Sequence, residues 1–135
     1  MAFTNGVFDL VHAGHVALLE SARALGGSLI VGLNSDLSVR RLAKGAGRPI
    51  VPEAGRAAVL AAFEVVDAVV LFDDATPLAL IEALSPEVLV KGGDYTRSST
   101  VGADWVEAHG GRVAIIPLLP GYSTTVLVEQ LRVTS

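Results

Sequence analysis

Thr4-Asn5-Gly6-Val7-Phe8-Asp9-Leu10-Val11-His12-Ala13-Gly14-His15 lies near the start of the chain. It reads as the end of a short strand, a turn loosened by Gly6 and the first turn of a helix. Phe3-Thr4 is all that is predicted of the strand, and its missing start suggests a trimmed or misassigned N-terminus. Two of the three histidines, His12 and His15, stand three residues apart in this stretch. At that spacing they can share a helix face, and Gly14 between them allows a ligand close to the backbone. The unpaired N–H groups of a helix start, with its positive dipole end, favour an anion. Two other readings exist: a surface or capping pair, and a zinc site. Zinc lacks further ligands, because cysteine is absent and His109 is far along the chain. A polyphosphate ranks above zinc, and either above a purely structural pair.

Working outward, Val16, Leu19, Ala22 and Leu25 predict a helix over Ala13–Leu25, stopped by Gly26-Gly27. The continuous apolar run from Ser28 to Leu33 predicts a strand buried on both faces. A short helix from Asn34-Ser35-Asp36 to Leu42 follows, then the Lys44–Pro49 loop and a helix over Ala54–Val65. Ala68–Phe72 is the third strand, and Thr76-Pro77 signals a helix start, with Thr76 as cap and Pro77 in the first turn. Val88-Leu89-Val90 is the fourth strand, followed by Lys91-Gly92-Gly93-Asp94-Tyr95. A helix over Asp104–His109 leads to a fifth strand, Val113–Ile116. A turn then opens a last helix at Ser123-Thr124-Thr125. This alternation predicts an α/β fold in one domain, 1–135: a Rossmann-like three-layer α/β/α body around a five-stranded parallel sheet. In such sheets ligands sit beyond the carboxyl ends of the strands. The chemically unusual segments, Gly6–His15, Asn34–Asp36, Lys91–Tyr95 and Gly121–Thr125, all follow a strand.

Composition narrows the function. The chain is 51% hydrophobic and 18% charged, which excludes general disorder. With no cysteine there is neither a disulfide nor a thiolate site. A net charge of −4 argues against nucleic acid as a partner. No apolar run reaches the ~20 residues of a membrane helix, and the N-terminus does not resemble a signal peptide; a cytoplasmic protein with no membrane partner is expected. Five of the ten Lys and Arg residues, Arg40, Arg41, Lys44, Arg48 and Arg56, fall in one segment. One basic segment in an acidic chain suits a small anionic substrate, although any one of these residues is equally at home on a solvated loop.

Here the residues reach a family. Gly6-x-Phe8-Asp9-x-x-His12-x-Gly14-His15 resembles the signature of the HxGH nucleotidyltransferase superfamily, to which the cytidylyltransferases belong. Phe3–Gly6, Val31–Asp36, Ser38–Leu42, Val90–Tyr95 and Pro120–Thr125 narrow the resemblance to the adenylyltransferases of D-glycero-β-D-manno-heptose 1-phosphate. The resemblance implies transfer of AMP from ATP to a sugar 1-phosphate, with ADP-heptose and pyrophosphate as products. ATP and Mg²⁺ are the implied co-substrate and cofactor, a homodimer the implied assembly and a sugar kinase the implied pathway partner. No carboxylate cage for the metal is evident, and its ligands stay unassigned.

The resemblance also implies site roles. His12, His15 and Lys91 are the catalytic candidates. Nucleotide binding falls to Val7, Phe8 and Gly14 through their backbone, and to Asp9, Arg56, Asp94, Ser123, Thr124 and Thr125. Asn5, Lys44 and Lys91 are the substrate-binding candidates, and Asp9 is equally suited to orienting the loop. Related cytidylyltransferases carry an arginine where this chain has Leu118, which argues against CTP and a polyol or amino-alcohol phosphate. Gly55 replaces an acidic residue that often precedes the helix arginine. A third reading, a non-catalytic nucleotide-binding module beside a sugar kinase, is disfavoured by the intact histidines and hydroxyl triplet.

Overall fold

The computed structural model of the 135-residue chain describes residues 1–42, 47–93 and 95–117. Lys44, Asp94, Leu118 and the Ser123-Thr124-Thr125 triplet with its predicted helix lie outside the described residues.

Five parallel strands form one sheet in the order β3-β2-β1-β4-β5, with β1 at Ala2–Gly6, β2 at Leu29–Asn34, β3 at Ala68–Phe72, β4 at Val88–Gly92 and β5 at Arg112–Ile116. Between them run α1 (Ala13–Gly26), α2 (Asp36–Arg41), α3 (Glu53–Ala61), α4 (Leu78–Leu84) and α5 (Ala103–Ala108). The sheet separates two cores. On one face Ala2, Leu29, Val31, Leu33 and Val90 pack with Leu19 and Ala22 of α1 and Leu60 of α3. On the other, Phe3 and Leu89 pack with Ile81 of α4 and Val106 of α5. Alternate residues of one strand thus serve opposite layers, which is why β2 reads as an unbroken apolar run.

The first strand is longer than Phe3-Thr4. It begins at Ala2 and pairs with β2 over its whole length, from Ala2↔Leu29 to Gly6↔Leu33. Its close seat depends on Gly26 at the end of α1, where an added Cβ would lie 2.5 Å from the Ala2 nitrogen. Gly27 then closes α1 at φ 73° in the left-handed region, its N–H donating to the Arg23 carbonyl. The helix predicted over Ala54–Val65 is shorter, Glu53–Ala61, and a turn completes the segment. The Thr76 cap is not formed. The helix starts one residue later, with Pro77 in the cap position and no side-chain capping bond. Proline has no side-chain acceptor, so it cannot supply the capping bond that a threonine hydroxyl would.

Strand order reverses between β1 and β4. These two strands pair at Ala2↔Val88 and Phe3↔Leu89, after which they no longer pair with each other, each staying paired to its outer neighbour. The centre of the sheet therefore opens into a fork at its carboxyl end, the place where open α/β sheets hold ligands.

Candidate active site

The site is built on the two lips of this fork and on the loop that leaves β1. A cavity of about 270 Å³ is lined by Asn5 and Gly6 from β1, Val7 just after it, Asn34 from β2 and Lys91 from β4. Thr76 and Pro77 close it before α4, and Tyr95, Thr100 and Val101 close it beyond β4. The Lys91 ammonium bridges the fork. Its Nζ donates to the Asn5 carbonyl at 3.3 Å and to Asn5 Oδ1 at 3.4 Å, and it lies 4.7 Å from the centre of the Tyr95 ring. Lys91 and Asn5 are thus brought together as expected, although Lys91 belongs to β4 itself rather than to the loop after it. The wall from Tyr95 to Val101 had no counterpart in the motif reading; the run of hydroxyls Thr96, Ser98, Ser99 and Thr100 was its available signal. Those hydroxyls fold the segment on itself, and Arg97 pins it to Asp104 and Glu107 of α5.

The two histidines form a reciprocal cap at the start of α1. His12 is the N-cap residue, and its Nδ1 accepts the Gly14 N–H at 3.1 Å. The Nδ1 of His15 accepts the His12 N–H, also at 3.1 Å. This is a capping box made of imidazoles in place of the usual hydroxyl and carboxylate. It has a chemical consequence. A nitrogen that accepts a hydrogen bond carries no proton, so each neutral ring has its proton on Nε2. The rings lie 3.9 Å apart, and Phe8 packs 5.2 Å from His15. Burial and then the neighbouring His12 push the His15 pKa down to about 4; burial also lowers His12. At pH 7 the pair therefore presents neutral N–H donors. The structural and the anion-binding readings of the histidines are not rivals, because the cap orients the donors.

The sign of the pH effect follows from that depression. The folded pKa of His15 lies below its ordinary 6.5, so the unfolded chain takes up the proton first. The stability owed to neutral His15 is complete above about pH 6.5, falls as pH drops towards 4 and is level below that. Unfolding in urea at pH 7.0, 5.5 and 4.5 should follow this course, and His15→Gln should lack the part due to this residue. An imidazole titration of His15 centred at its ordinary value would contradict the arrangement.

Asp9 and Arg56 are both buried. Asp9 is 3% exposed and accepts the N–H groups of Ile50 at 2.8 Å and Val51 at 3.0 Å, with Arg48 at 3.6 Å. That is the loop-orienting role. Arg56, 1% exposed, donates to the carbonyls of Val51, Val7 and Asn34 and to Asp36 Oδ1, at 2.7–2.9 Å. With Gly55 before it, the guanidinium is oriented by these oxygens rather than by an adjacent acid. Val7 turns its carbonyl to Arg56, Phe8 is buried, and Gly14 is engaged in the cap.

Among the described residues no group of three or more His, Asp or Glu side chains is placed to hold a metal ion. Likewise, among the described residues no helix is long and apolar enough to cross a membrane.

Comparison with known proteins identifies the family and the fold. The model of the cytidylyltransferase-like family matches residues 3–130. The bifunctional protein HldE of Geotalea uraniireducens (strain Rf4) is 57% identical over 135 residues, covering 100% of this chain and 27% of the relative. That of Acidiphilium cryptum (strain JF-5) is 61% identical over 132 residues, covering 98% and 27%. The chain thus spans about a quarter of the length of these curated relatives. Among solved structures, the lipopolysaccharide core biosynthesis protein from Thermoplasma volcanium GSS1 superposes with a TM-score of 0.70. It is 24% identical, with 87% of this chain and 94% of that chain covered, a likeness of fold.

Proposed function

The chain belongs to the cytidylyltransferase-like family, and from that membership and the site we propose that it is an adenylyltransferase. It transfers AMP from ATP to a sugar 1-phosphate, D-glycero-β-D-manno-heptose 1-phosphate, giving ADP-heptose and pyrophosphate. The supporting observation is the cationic fork, with Lys91 across its lips and the capped histidines at the end of the loop that leaves it.

An oxygen of the acceptor phosphate forms a bond to the α-phosphorus of ATP, and the bond from that phosphorus to the bridging oxygen breaks, releasing pyrophosphate. The acceptor is already ionised at neutral pH, so the chain supplies no nucleophile. Its residues position the two phosphates and offset the charge that builds between them. The Nε2–H groups of His12 and His15 donate to the oxygens of the transferred phosphate. Lys91 and Asn5 hold the acceptor phosphate in the fork. Lys44, Asp94 and the Ser123–Thr125 hydroxyls are proposed for the remaining substrate and polyphosphate contacts. Mg²⁺ entering with the nucleotide would supply charge neutralisation at the phosphates, and no residue is assigned as its ligand. The enzyme works in the cytoplasm as a homodimer. That the relatives are bifunctional proteins supports a sugar kinase as a partner in the same pathway.

Pyrophosphate release tests the reading. It is expected with ATP and heptose 1-phosphate together. Release with CTP and a polyol or amino-alcohol phosphate instead would sink the adenylyl assignment, and no release with any acceptor would favour a binding module. Within the active enzyme, Lys91→Met should raise KM for the sugar phosphate by roughly tenfold or more, the scale of one charge-assisted hydrogen bond. KM for ATP should change little, and an equal rise in both would place Lys91 on the nucleotide instead.

A further inference from the structure

Arg56 buries a full positive charge in α3 and directs it at three backbone carbonyls and one carboxylate. These acceptors lie on different segments: Val7 after β1, Asn34 at the end of β2, Asp36 in α2 and Val51 before α3. The neighbouring residues give this fan of bonds a further consequence. Phe8, next to Val7, sits at φ 49°, and Leu10 at φ 62°, both in the left-handed region that side chains with a Cβ rarely occupy. Such conformations persist only where the surroundings over-determine them. Here they are held from both sides. Arg56 takes the Val7 carbonyl before Phe8, while Asp9, between the two strained residues, takes the N–H groups of Ile50 and Val51. The Val51 carbonyl in turn goes back to Arg56. The ring that this closed set of bonds orients is Phe8, which is 5% exposed and packs on His15.

We propose that Arg56 is a positioning residue of the transfer site, acting through the Val7 carbonyl to keep Phe8 against His15 rather than by touching the nucleotide. A lysine in its place offers one nitrogen, which cannot fork to acceptors on four segments. Misplacement by about 1 Å far from the reacting atoms can cost ~10² in rate.

The proposal rests on the adenylyl-transfer reading for its kinetic arm alone. Arg56→Lys in the full chain should lower kcat by ~10²-fold with KM for ATP nearly unchanged. In the same variant the imidazole resonances of His15, followed by NMR, should titrate above their native midpoint of about 4 and nearer the ordinary 6.5. The cause is water reaching a ring that Phe8 no longer covers. Ile81→Ala, wholly buried in the core on the other face of the sheet, should lower stability without moving that midpoint. A rise in KM for ATP of about tenfold with kcat kept would mean direct nucleotide contact, and an unmoved His15 midpoint would break the Val7–Phe8 link; either overturns the proposal. Should Arg56→Lys fail to fold, Asp36→Asn keeps the arginine and loosens it at the rim. It must shift His15 in the same direction by a smaller amount, and no shift overturns the proposal. If the native protein turns over no sugar phosphate, the adenylyl reading fails while the His15 titration still decides the role of Arg56.

Discussion

Replacing His15 by alanine is expected to lower turnover by ~10²–10³-fold, the scale of losing one donor to the transition state, and to cost the fold about 1 kcal/mol as a lost helix cap. The two effects have separate atomic origins. Nδ1 accepts the His12 N–H and closes the N-terminus of α1. Nε2 carries the proton, and burial keeps the ring neutral, so a donor is available throughout the neutral range. Glutamine is a standard partner at this position of a capping box. His15→Gln should therefore recover the stability and only a small part of the rate. Pyrophosphate release measures the rate, and urea unfolding monitored by circular dichroism measures the cap. Native turnover in the alanine variant would remove His15 from the mechanism. A glutamine variant as unstable as the alanine one would show that the imidazole is not capping the helix.

Asp9→Ala should be the most damaging single change to stability among the site residues, about 3 kcal/mol. Its carboxylate is nearly inaccessible and satisfies two consecutive N–H groups, those of Ile50 and Val51, beside the Arg48 guanidinium. Alanine leaves both donors buried without an acceptor. Arg48 is cheaper to release because its side chain retains 21% exposure and can be hydrated. Asp9→Asn keeps one acceptor oxygen and should lose roughly half as much. Urea denaturation at pH 7 gives both numbers, and a loss under about 1 kcal/mol for alanine would mean that water replaces the carboxylate.

The layers of this protein are legible in its sequence because they depend on local pattern. The apolar run from Ser28 to Leu33 marks a doubly buried strand, and Gly26-Gly27 marks a helix end. The length of β1 was not legible: Ala2 carries too little hydrophobic signal, and its strand character comes from pairing with Leu29 and Val88, far along the chain. The histidine pair reads in sequence both as an anion site and as a capping pair; what the sequence does not display is that the two rings cap reciprocally, since imidazole is not a usual capping group. Arg56 reads in sequence as a nucleotide contact, and Asp9 as either that or a residue that orients the loop. Their sequence neighbours say nothing of carbonyls 49 and 22 residues away or of N–H groups 41 and 42 residues away. Burial of a charge is a property of distant partners, and a single sequence does not display them. The wall at Tyr95–Val101 escaped for a related reason, because its threonines and serines serve one another before they serve any ligand.

The fork between β1 and β4 has one more consequence. Two strands that stop pairing after Phe3 leave the middle of the sheet joined there by side chains, with Lys91 reaching Asn5 in place of backbone rungs. An acceptor phosphate seated on both lips would supply the missing cross-link, so occupancy and cohesion of the sheet become one linked equilibrium. Each tenfold excess of ligand over its Kd then adds about 1.4 kcal/mol to the folded state. In that sense the substrate is a removable rung of the fold, and the protein is least rigid when it is waiting for one.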